Sequence, residues 1–223
     1  MLLRTLLIIF CILIFILVCQ RLIDKYSKDN ESIRKFVHIL HGVGVAGLAL
    51  FVPFRVIIAV EVFFLISMFV ARYLYENFSR LPWVRYLGRT YKVGRVSYGD
   101  FFFPISTIII IFLVESKGVL VASVLILGLA DAVAALIGKK YGKSSTYKIL
   151  GQQKSLIGST AFFVTAMAIT FVFSVFVQSN VESITFLMIV GVALATTIAE
   201  NLGVYGSDNL LIPIVATLAL NQL

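Results

Sequence analysis

The chain has 223 residues, 60 % of them apolar and only 13 % charged, with a formal net charge of +8. That composition excludes an ordinary soluble globular domain and a disordered chain, and points to an integral membrane protein. Its two cysteines, Cys11 and Cys19, fall on one predicted helix about 12 Å apart by helical rise, which excludes a disulfide between them.

Apolar stretches near the roughly 20-residue spanning length predict eight helices: Leu2 to Ile23, Phe36 to Val52, Val56 to Tyr75, Phe101 to Val114, Gly118 to Ile137, Leu156 to Val177, Ile184 to Leu202 and Leu210 to Leu220. The expected fold is all-α, a single polytopic membrane domain over residues 1–223, without internal repeats. The first stretch is read as a retained helix, because cleaving it as a signal peptide would leave the basic run Arg21 to Lys35 outside.

The second helix opens with Glu31, Arg34, Lys35, His38 and His41 at spacings of three and four, broadly on one face. Its cations also suit plain flanking residues, and its histidines suit structural hydrogen bonds. Glu61 lies only about 8 Å from the far end of the third helix by helical rise, so it is expected to be a structural or interfacial carboxylate. The polar segment Arg72 to Asp100 carries Pro82, Trp83, Tyr86, Tyr91 and Tyr98 among its arginines, as an amphipathic stretch in the headgroup layer would.

The fifth helix contains the most informative residue, Asp131, in the run Gly128-Leu-Ala-Asp131-Ala-Val-Ala-Ala-Leu-Ile-Gly138-Lys-Lys-Tyr-Gly142-Lys143. A carboxylate in hydrocarbon is costly and marks function more often than packing. The following loop adds Lys139, Lys140 and Lys143, and its glycines would let backbone N–H groups approach an anion. At the start of the sixth helix, Lys154, Ser155, Gly158 and Ser159 suit the same anion, although Ser155 also suits a plain N-cap. Glu200 and Asn201 close the seventh helix, and Asp208 and Asn209 open the eighth. Hard oxygen donors such as Asp131, Glu200, Asp208 and Asn209 suit Mg²⁺, although Asp208 also suits a helix cap.

With the N-terminus outside, the odd-numbered loops hold all but three (Arg4, Arg55 and Lys117) of the 19 basic residues. This is the positive-inside pattern, so both termini are expected outside and the polar cluster on the cytoplasmic face. The basic charge thus reflects topology and gives no sign of nucleic-acid binding.

The block Ala130-Asp131 to Gly138-Lys-Lys-Tyr-Gly142-Lys143, followed by Lys154-Ser155-Leu-Ile-Gly158-Ser159, resembles the signature of the CTP-dependent lipid kinases: dolichol kinase, phytol kinase and CTP-dependent diacylglycerol kinase. Arg34-Lys35-Phe-Val-His38 and Asp208-Asn209-Leu-Leu-Ile-Pro213 resemble two further blocks in the family order, so the similarity covers residues 31–214, behind a first helix and linker at 1–30. The resemblance implies transfer of the terminal phosphate of CTP to the hydroxyl of a membrane lipid alcohol: a polyprenol or dolichol first, phytol or diacylglycerol as further acceptors. It implies catalytic roles for Asp131, Arg34, Lys35 and His38. Nucleotide binding falls to Gly138, Lys139, Lys140, Gly142, Lys143, Lys154, Ser155, Gly158 and Ser159, with Mg²⁺ or another divalent cation as cofactor. Asp131 would either ligate the cation or accept the hydroxyl proton. One departure is Ile157, where family members often carry an acidic residue.

Two alternatives remain. A phosphatidate cytidylyltransferase would also use CTP at a membrane face, but its longer C-terminal signature is not visible. A lipid or ion transporter would place its site near the midplane between repeats, and neither feature is visible.

Overall fold

In a computed structural model, the described residues are 30–78, 80–81, 99–176 and 186–223. The predicted first helix and residues 79 and 82–98 of the interfacial segment lie outside them.

Helix α1 (Asn30–Phe51) stops where Pro53 disfavours helical backbone at the residue before it, and α2 (Phe54–Phe78) restarts at once. Helix α3 (Gly99–Ile111) leads to α4 (Lys117–Leu125), whose first turn is capped by Ser116: its hydroxyl accepts the Val119 N–H at 3.2 Å. A π-helical turn (Ile126–Ala130) joins α4 to α5 (Asp131–Tyr141), and a 3₁₀ turn (Gly142–Ser145) follows. Together these make one helical rod over Lys117–Ser145.

A two-stranded antiparallel hairpin, β1 (Thr146–Ile149) and β2 (Gln152–Ser155), comes next, with Tyr147 opposite Lys154. Both of its turn residues have positive φ, 47° at Leu150 and 77° at Gly151, the sense of a type I′ turn that matches strand twist. Lys154 and Ser155 therefore end a strand, and α6 (Leu156–Phe176) starts after them rather than with them. Helices α7 (Phe186–Leu202) and α8 (Asp208–Leu220) complete the described chain. Between them the chain reverses so tightly that a Cβ on Gly203 would lie 2.4 Å from the Asp208 side chain.

The protein is mostly helical. Three helices, Phe54–Phe78, Lys117–Ser145 and Leu156–Val175, are long and apolar enough to cross a membrane, and α1, α3, α7 and α8 are shorter apolar helices. Outward-facing side chains on α2 (Val62, Phe63, Ile66, Phe69, Val70) and α6 (Val164, Phe171, Val172) are apolar, as a hydrocarbon surrounding favours. The rod is the centre: α1 packs along α4 and the π turn, α6 along α5, and α8 against α3 and α4. One apolar cluster joins Val45, Ala49, Ile57, Ile110, Leu120 and Val124; a second joins Phe103, Leu127, Phe162, Val192 and Ile212.

Where α1 crosses the π turn, a Cβ on Gly42 would lie 3.0 Å from the Gly128 Cα and from the Val124 carbonyl oxygen. This contact sets how near α1 comes to Asp131. Gly42→Val should cost about 1–3 kcal/mol by overpacking, read as a lower thermal midpoint in detergent. Gly44→Ala, with open space around it, should leave the midpoint unchanged or raise it.

Candidate active site

The glycine crossing brings Lys35, one turn into α1, against Asp131, the first residue after the π turn. The Lys35 Nζ donates to Asp131 Oδ2 at 2.6 Å, and the two side chains are 7 % and 5 % exposed. His38, one turn further along α1, places its Nε2 3.4 Å from the same oxygen. At this burial, removing one partner would strand the other without solvent, so the pair fixes α1 to α5.

A second pair lies between the hairpin and α7. The Lys154 Nζ donates to Glu200 Oε1 at 2.5 Å and to the Glu200 carbonyl at 3.0 Å. Burial works against the Lys154 charge, but the Glu200 carboxylate outweighs it and holds the ammonium pKa above its ordinary value. The stability this contributes is present below the ordinary lysine pKa and is lost only as alkali passes the raised one. Tyr147 on β1 seats the hairpin: its hydroxyl bonds Ser159 Oγ at 2.7 Å and donates to Asn201 Oδ1, which Ser159 also reaches at 3.2 Å.

Asp208, at the start of α8, connects the pairs, lying within electrostatic reach of Asp131, Lys35 and Lys154. Glu200 in turn feels both Asp131 and Asp208. Glu200 Oε2 and Asp208 Oδ1 are buried and accept no hydrogen bond from the described residues. Among the described residues no three His, Cys, Asp or Glu side chains are gathered closely enough to cage a metal ion. The unsatisfied carboxylate oxygens fit a cation of another kind, one that takes one or two protein carboxylates and leaves its remaining positions to water and phosphates.

The residues singled out from the sequence divide accordingly. Lys35 and His38 meet Asp131, Lys154 meets Glu200, Asp208 lies within electrostatic reach of both groups, and Ser159 bonds Tyr147 and Asn201 beside the second. Arg34 belongs to α1, but its side chain lies outside the described residues. Asn209 donates from Nδ2 to the Gly99 carbonyl at 2.7 Å and ties α8 to α3.

The glycines have a nearer neighbour than any anion. A Cβ on Gly138, Gly142 or Gly158 would lie 2.9, 2.3 or 2.9 Å from Ser155 Oγ, which accepts the Gly158 N–H at 3.1 Å. Their missing side chains admit the Ser155 hydroxyl and let α5 touch α6, so the capping role of Ser155 is the one its geometry displays. Lys139, Lys140 and Lys143 are exposed beyond this knot, with the Lys140 Nζ 4.9 Å from the Tyr141 ring centre.

Two features depart from the sequence reading. His41 does not join His38 at Asp131; its Nε2 lies 3.0 Å from each carboxylate oxygen of Glu61, which is wholly buried and so takes the structural of the two roles expected for it. Tyr147 had no signal of its own, because its role depends on a hairpin whose turn carries Leu150 instead of the usual Asn or Asp.

No protein family, curated protein or solved structure matches the chain.

Lys154→Met should strand the buried Glu200 carboxylate and cost about 3–5 kcal/mol of stability. Adding Glu200→Gln should recover part of the lost thermal midpoint, a recovery that independent roles for the two residues would not give.

Proposed function

We propose that the protein is a kinase that transfers the terminal phosphate of CTP to the hydroxyl of a membrane lipid alcohol, a polyprenol or dolichol first and phytol or diacylglycerol as further acceptors. The observation that carries this reading is the buried Lys35–Asp131 pair with His38 beside it, set in one cluster with Lys154, Glu200 and Asp208. Packing alone has no need of so many charges between apolar helices. The choice of CTP and of an alcohol acceptor rests on the signature around Asp131, Lys154 and Ser155.

The reading includes eight membrane spans, with both termini outside and the site at the cytoplasmic face. Its support is the basic-residue asymmetry together with the placement of the cluster. Lys35 lies roughly 8 Å into α1 by helical rise. Lys154 lies two residues before α6, Glu200 nears the end of α7 and Asp208 starts α8.

In the proposed reaction the lipid hydroxyl oxygen forms a bond to the γ-phosphorus of CTP. The bond from that phosphorus to the β–γ bridging oxygen breaks, CDP leaves with the bonding pair, and the hydroxyl proton passes to a base. Lys35 and Arg34 offset charge on the transferred group, and Lys139, Lys140, Lys143 and Lys154 hold the triphosphate, since positioning and electrostatics supply most of the catalysis in phosphoryl transfer. Mg²⁺, bound through Asp131, Glu200 or Asp208, would neutralise phosphate charge. Asp131 serves either that cation or the hydroxyl proton.

Purified protein given Mg²⁺ and CTP or ATP labelled on the terminal phosphate, with polyprenol, phytol and diacylglycerol offered separately, should move label from CTP into a lipid. Asp131→Asn should lower transfer about a hundredfold or more and, because it removes the charge opposite Lys35, should also lower the thermal midpoint; full activity in that variant overturns the assignment. Loss of Mg²⁺-dependent nucleotide binding in it marks Asp131 as a cation ligand, and retained binding marks it as the base. With phosphatidate offered in place of the alcohols, label released as pyrophosphate and a CDP-lipid formed would replace the kinase by a cytidylyltransferase.

A further inference from the structure

The site described above makes no use of a third pair, His41 with Glu61. Glu61 is 0 % exposed, in the half of α2 whose outward side chains Val62, Phe63 and Ile66 are apolar, and both its oxygens lie 3.0 Å from His41 Nε2. A carboxylate so placed costs stability unless it is held by a partner, and apolar packing between α1 and α2 would need neither group.

The pair leads back toward Asp131. The His41 ring lies nearly parallel to Phe103 of α3, at 4.2 Å between centroids and 14° between planes, and also touches Phe64 at 4.7 Å. Phe103, itself buried, meets His38 edge-on at 4.7 Å and 76°. His38 in turn has its Nε2 3.4 Å from Asp131 Oδ2. Contacts therefore run without a gap from Glu61 through His41, Phe103 and His38 to Asp131, drawn from α1, α2, α3 and α5. Rings in a close-packed interior cannot tilt one at a time, because each occupies the space its neighbour would need.

We propose that Glu61 and His41 are positioning residues: by fixing the plane of the Phe103 ring they set the orientation of the His38 imidazole at Asp131. Neither touches the nucleotide or the lipid. The catalytic consequence rests on the kinase reading, whereas the coupling of the rings does not.

The chain has two histidines, so protein labelled with ¹⁵N and ¹³C in histidine alone gives two sets of imidazole signals, assigned with His41→Phe. In nanodiscs at fixed pH, Glu61→Gln should shift the His38 ring signals as well as those of His41. In a Phe103→Leu background the same substitution should move His41 alone, the non-additivity that a relay through the ring requires. Glu61→Asp, which keeps the charge but shortens the side chain, serves if the amide variant does not fold. A His38 signal that stays in place in folded Glu61→Gln, or that moves equally with and without Phe103, overturns the coupling.

In parallel label-transfer assays Glu61→Gln should lower kcat about tenfold, with KM for CTP changed by less than about twofold, as expected of a misplaced catalytic neighbour. An unchanged kcat with a displaced His38 overturns the positioning role. If the unaltered protein transfers no label, the kinase reading fails, and the relay is still judged by the spectra.

Discussion

A lysine and an aspartate buried together between two apolar helices constrain the structure around them. Neither Lys35 nor Asp131 can be left alone at that burial, so α1 and α5 must meet at one depth and in one rotation. The glycines at 42 and 128 let the backbones approach closely enough for the 2.6 Å contact. The π turn immediately before Asp131 accommodates an extra residue within the rod, and such turns recur where a helix must aim a functional side chain. Tight crossing, widened turn and ion pair thus form one arrangement, to which His38 adds an imidazole nitrogen 3.4 Å from the same carboxylate oxygen.

The other half of the cluster is assembled differently. Lys154 comes from a strand, and its place depends on the Tyr147 anchor and on the knot in which Ser155 fills the room left by three glycines. Helix packing fixes the first pair and the hairpin fixes the second. Asp208, at the tight reversal between α7 and α8, lies where the fields of both are felt.

The described helices were legible from apolar length, and the gathering of Lys35, His38, Asp131, Lys154, Glu200 and Asp208 was legible too, since charged residues beside apolar helices are conspicuous. The hairpin was not: each strand has four residues, and Leu150-Gly151 is a poor advertisement for a type I′ turn. Nor was the separation of the histidines. Spacing of three puts His38 and His41 broadly on one helical face, but that face meets α5 at one level and α2 at the next, and only the packing of those helices decides which carboxylate each histidine receives. Distance from a helix end left Glu61 a structural or an interfacial role, and only the packing of α1 on α2 supplies the His41 partner that decides between them.

The distribution of these pairs along the chain bears on how the protein is made. His41 and Glu61 are 20 residues apart on successive helices, so an α1–α2 unit can enter the bilayer with that carboxylate already matched. Lys35 has no such early companion: Asp131 follows it by 96 residues. Until the rod is synthesised, α1 carries an uncompensated ammonium that is best kept at the lipid headgroups, and its final seating waits for a segment that emerges from the ribosome much later. Biogenesis on this plan has two stages, an early contact between neighbouring helices and a late ionic latch between distant ones.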